Sequence, residues 1–148
     1  MKEVLKEQYR LLTKQMSLLE KIYNNCHQIG IKESYSEDEF EKFEVLTSRF
    51  ARSIDFLVRK VYRTIDMYEF ENQGTLIDIV NNAHKRGLLE DIDELRTIKD
   101  IRNSIAHEYI EDNLIEFFDE ILDYSPKLLN LLQKSKKYLE NNYKEVLQ

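Results

Sequence analysis

Four polar side chains of unlike chemistry fall close together at Arg102, Asn103, His107 and Tyr109. A guanidinium is a planar, permanently charged fork that grips phosphate or carboxylate. An imidazole near its working pH gives or takes a proton. An amide orients such groups, and a phenol is a site for modification. At roughly 100° per residue, Leu95, Ile98, Ile101, Ile105 and Ala106 share one helical face, and Arg102 falls inside it. Tyr109 lies nearly over that face, and Asn103 and His107 flank it together. A guanidinium among apolar side chains is costly unless it meets an anion or a polar partner. The four groups span an arc of about 160°, too wide to converge on one atom from one helix. The arc suits a groove against another helix, or against a second copy across a two-fold axis. The plainer reading is a structural arginine, snorkelling or paired with Asp100 or Glu108, beside a surface histidine.

The order Arg102, four residues, His107, one residue, Tyr109 resembles the R-x4-H-x-Y motif of the HEPN superfamily. Asn103 is the kind of polar residue that superfamily's ribonuclease motif favours after its arginine. The chain is similar to small HepT-like ribonuclease toxins, whose genes sit beside a minimal nucleotidyltransferase (MNT) antitoxin. The likeness covers about residues 36 to 132. It implies a homodimeric, metal-independent endoribonuclease with the motif helices facing each other, acting on RNA without a cofactor. Arg102 would hold the scissile phosphate. His107 would be general base or general acid, and Asn103 would orient it or bind a phosphate oxygen. Tyr109 holds the position that the cognate nucleotidyltransferase adenylylates to silence the toxin; otherwise it is a helix-end tyrosine with a wet hydroxyl. The likeness also admits a rival, a catalytically silent binding subunit of a nucleotidyltransferase. A purely helical adaptor is a third possibility.

The elements that must position these residues are helical. A first helix spans about 2–27 and stops at Gly30. Ser36 with Glu39 fits a capping box for a second helix reaching Tyr68, striped by Phe43, Leu46, Phe50, Ile54, Leu57, Val61 and Ile65. Thr75 caps a short helix closed by Arg86-Gly87, and Asp91 caps the motif helix. A last helix begins near Asn113, and Pro126 is expected to kink or break it. The fold class expected is all-α, an antiparallel bundle of four to five helices in a single domain over 1–148.

Composition agrees. Three glycines and one proline in 148 residues supply too few chain reversals for a β-sandwich or a doubly wound α/β fold. No run approaches the roughly 18 apolar residues of a membrane span, and MKEVLKEQYR lacks a signal-peptide core, so a cytoplasmic protein is expected. Cys26 is the sole cysteine, and His27, His84 and His107 show no ligand spacing, so no metal site is expected.

The net charge of −6 conceals a contrast. Between Glu90 and Asp123 lie 12 acidic and 3 basic residues, a local −9 around the motif. On the second helix Arg52, Phe56, Arg59 and Arg63 fall within about 60° of one another, with Arg49 close by. Either they form a solvated face, or a patch docking on the acidic stretch, or a strip that follows RNA phosphates and stacks a base on Phe56.

Overall fold

The computed structural model describes residues 2–69, 74–108 and 114–148, without the side chains of 106–108. Leu5, Leu12, Leu19 and Cys26 recur every seven residues along α1 (Lys2–Ile29), so they line one side of it, and all four are buried. Gly30 ends α1 with φ 75°, where its N–H reaches the Cys26 carbonyl at 2.9 Å.

The Ser36 capping box forms as the sequence predicts. Glu39 N–H donates to Ser36 Oγ at 3.2 Å, and Ser36 N–H donates to Glu39 Oε1 at 2.9 Å. From there α2 (Glu37–Phe56) continues through a π-helical stretch, Leu57–Tyr62, into α3 (Arg63–Tyr68). The wider π turn changes which side chains face inward. Leu57, Val61 and Ile65 are buried as expected, but so are their neighbours Val58, Tyr62 and Asp66.

Thr75 and Asp78 form a second capping box for α4 (Leu76–Lys85), and Gly87, at φ 78°, follows its end. Asp91 Oδ1 accepts the Asp93 N–H at 2.9 Å at the start of α5 (Ile92–Glu108). The break expected at Pro126 does not occur: α6 (Leu114–Asn142) runs through it. Pro126 is exposed, whereas Ile121, Ser125, Leu128 and Leu132 are buried. Packing on both sides of the proline holds the helix together against a local cost of about 3 kcal/mol. A last turn, α7 (Lys144–Leu147), follows.

Side-chain contacts set the helix directions. Tyr9, early in α1, donates to Glu140 Oε2 late in α6 at 2.5 Å, and Tyr35, just beyond α1, meets Phe118 at the start of α6. These two helices are therefore antiparallel. Phe43, early in α2, stacks on Phe118 with centroids 4.7 Å apart, and Glu69, after α3, bonds Tyr138. The α2–α3 rod thus runs parallel to α6. Glu90, before α5, pairs with Lys134 of α6 at 3.0 Å, so α5 runs back against α6. The result is an all-α, up-down-up-down bundle with α4 as a short flanking helix, and no strand among the described residues.

Candidate functional site

The α5 helix reaches Glu108, so Arg102, Asn103 and His107 all lie on its C-terminal half. The side chain of His107 and the whole of Tyr109 lie outside the described residues. Arg102 and Asn103 face different neighbours.

Arg102 points to the seam with α2. Its Nε donates to Asp55 Oδ2 at 3.0 Å, and the two side chains are 38% and 40% exposed. The partner is neither Asp100 nor Glu108, the two local candidates, but a carboxylate 47 positions earlier in the chain. A contact through Nε alone is end-on: both terminal nitrogens of the fork make no other hydrogen bond among the described residues, Ala106–Glu108 side chains aside.

The antiparallel run of α2 and α5 extends the pairing by one turn. Lys99 precedes Arg102 by three residues, and Arg59 follows Asp55 by four, so the two cations come level. Burial, with the charge of Arg59 beside it, holds the Lys99 ammonium below its usual pKa, while Asp55 and Asp100 act the other way. One carboxylate, Asp55, therefore sits among Arg102, Lys99 and Arg59, and the seam is left cationic.

Asn103 is exposed and faces the other way, into a groove between α4 and α5 of about 270 Å³. Leu76, Val80 and Leu95 line it, and Asn81, Lys99 and Asp100 edge it. Lys99 belongs both to this groove and to the seam with α2.

The arginine stripe on α2 is only partly as predicted. Arg52, Arg59 and Arg63 are exposed and Arg49 is half-buried, and none of the four forms an ion pair among the described residues. Lys14 of α1 lies with Arg49 and Arg52 along a shallow groove between α1 and α2. Phe56, expected as an exposed ring, is instead half-buried and packs against the core. It sits at the start of the π turn, where the wider winding carries residues away from a regular 100° spacing. The stripe does not dock on the acidic stretch through any described ion pair.

A second polar cluster lay outside the sequence reading. Asp66, fully buried, pairs with Arg86 Nη1 and accepts from Asn82 Nδ2 at 3.2 Å. Arg86 Nε donates to Glu69 Oε1 at 2.7 Å. Tyr138 and Tyr143 donate to Glu69 Oε2 at 2.6 and 2.7 Å. Burial raises the Glu69 pKa, but these donors outweigh it and hold the carboxyl below its usual range. Every charged group here is partnered, which fits a tie between α3, the end of α4 and α6. No local spacing announces this cluster, because its members come from four separate stretches of chain.

Cys26 offers no nucleophile: it is buried, and burial pushes its thiol up to about 11. No group of three or more His, Cys, Asp or Glu side chains suited to a metal occurs among the described residues. No described helix is long and apolar enough to cross a membrane. Compared with known family models, curated proteins and solved structures, the chain matches none.

Proposed function

We propose that this all-α bundle is a HEPN-type, HepT-like ribonuclease toxin that works in the cytoplasm as a homodimer and is silenced by a cognate MNT-type nucleotidyltransferase. The observation that carries the reading is Arg102. It stands on the C-terminal half of α5 within R-N-x3-H-x-Y, half-exposed, anchored from behind through Nε, with the outer edge of its fork open. That is the posture of a group that receives an anion. The cationic seam around it offsets the acidity of the surrounding stretch.

In the reaction proposed, the ribose 2′-oxygen attacks the adjacent phosphorus while the bond from phosphorus to the 5′-oxygen of the next nucleotide breaks. The 2′-hydroxyl proton leaves to a base and the departing oxygen takes a proton. The products are a 2′,3′-cyclic phosphate and a free 5′-hydroxyl. Arg102 neutralises the phosphate as charge builds on its oxygens. His107 serves one of the two proton transfers. Asn103 orients His107 or binds a phosphate oxygen, and Tyr109 is the residue that receives AMP.

One observation favours the rival, a silent binding subunit of the nucleotidyltransferase. Arg102 already has an internal partner in Asp55 and is stable without a ligand. RNA incubated with the purified protein and excess chelator separates the two. Cleavage that disappears in His107→Ala supports the nuclease. Intact RNA together with tight nucleotidyltransferase binding supports the silent subunit. Mass spectrometry after incubation with an active partner and ATP checks Tyr109: an unmodified tyrosine there overturns the silencing step.

A further inference from the structure

The groove between α4 and α5 and the cationic seam between α5 and α2 share Lys99, and together they have the form of a nucleotide. Leu76 and Val80 from α4 and Leu95 from α5 supply an apolar floor, and the amides of Asn81 and Asn103 edge it with both donors and acceptors. Drug-sized ligands occupy pockets of about 300–1,000 Å³, so a groove of about 270 Å³ holds one ring system and not two. Lys99 has no hydrogen bond or ion pair among the described residues, and Arg102 turns the free edge of its guanidinium out of the same helix one turn on. An apolar slot with amide edges beside paired cations matches a base with its own phosphate. A peptide would leave those cations unanswered.

We infer that this groove seats one unpaired nucleotide of a single-stranded RNA, its base against Leu76, Val80 and Leu95 and its phosphate on Lys99 and Arg102, with Asp55 as a positioning residue that holds the Arg102 fork. The inference rests on the nuclease reading for the identity of the polymer only. Base pairing buries the edges and faces that the groove would take, so a duplex cannot enter. Asp100 at the groove edge repels a second phosphate there, which directs the strand toward the α2 seam.

Fluorescence anisotropy with a labelled single-stranded hexaribonucleotide tests this, using the His107→Ala protein so that the probe stays intact. Lys99→Ala should weaken the hexamer roughly ten-fold and lower the salt slope by about one. Asn81→Trp, an exposed change that fills the groove, should weaken the hexamer while leaving inorganic pyrophosphate binding unchanged. Equal affinity for a duplex of the same sequence, or for a free mononucleotide, overturns the assignment to a single RNA strand. So does unchanged hexamer binding in both variants. Hexamer binding through the groove without any cleavage by the natural sequence removes the nuclease and leaves the groove standing. Cleavage that neither groove variant alters removes the groove alone.

Discussion

Arg102 Nε lies 3.0 Å from Asp55 Oδ2, joining the motif helix to the middle of the chain's longest helical rod. The pair is two-fifths exposed, so water screens it and its contribution to stability is small. Its value is directional: it fixes which edge of the guanidinium faces outward.

Asp55→Ala should therefore change folding stability by less than about 1 kcal/mol. On the nuclease reading it should cost at least about ten-fold in kcat/KM, because a fork that swings loses its alignment to the phosphate. Asp55→Asn, which keeps an acceptor, should recover part of that loss. Thermal melts and cleavage kinetics on the same samples check it; parallel losses of stability and activity would make Asp55 merely structural.

The buried tie behaves differently. Asp66 is fully buried and the Arg86 side chain is 9% exposed. Removing one partner strands a charge in the interior, so Arg86→Ala should cost about 3–5 kcal/mol in urea unfolding. Joint replacement by Asp66→Leu and Arg86→Met should cost clearly less. A double variant as unstable as the single one contradicts the account.

Two pH limits follow from the same cluster. Glu69 is held below its usual carboxyl value of 4.5, so the folded state binds fewer protons there. That stabilisation is complete above the unfolded pKa and is lost as pH falls through the lower, folded one. Burial and the Glu69 carboxylate push Tyr138 from 10.0 up to about 12, and Tyr143 is raised in the same way. Their contribution is complete below pH 10 and declines between pH 10 and about 12. Unfolding midpoints across both ranges check this. Glu69→Gln should flatten the acid limb and Tyr138→Phe the alkaline one.

Pro126 sits within an unbroken α6, where it denies the Leu122 carbonyl its helical donor. Pro126→Ala restores that bond in an exposed position, against a gain in unfolded-chain entropy of about 1 kcal/mol. The net expectation is a stabilisation of about 1–2 kcal/mol, seen as a raised melting temperature. A lowered one would show that the proline sets a bend the bundle needs.

The local signals of this chain were legible because their physics is local. Ser36 with Glu39, Thr75 with Asp78, Gly30 and Gly87 each act within one helical turn, and each lies where its residue type required. The heptad of Leu5, Leu12, Leu19 and Cys26 marked a buried face without reference to any other helix. Pro126 misled for a complementary reason: its cost is local, but the contacts that outweigh it come from the rest of the bundle. Phe56 misled because a regular helical period does not anticipate a π turn.

By itself, then, the sequence determined that the protein is built of helices, where most of them start and stop, and that Arg102, Asn103 and His107 share the end of one. Tertiary structure alone decided what Arg102 meets. Asp100 is close in sequence, yet it edges the α4 groove, and Asp55 was brought into reach by the antiparallel register of α2 and α5. It likewise separated Arg102 from Asn103, placed Lys99 between a groove and a seam, and assembled Asp66, Glu69, Arg86, Tyr138 and Tyr143 from distant stretches. Contacts between distant residues depend on how helices pack side by side, and helical periodicity specifies which face is buried but not which helix will cover it.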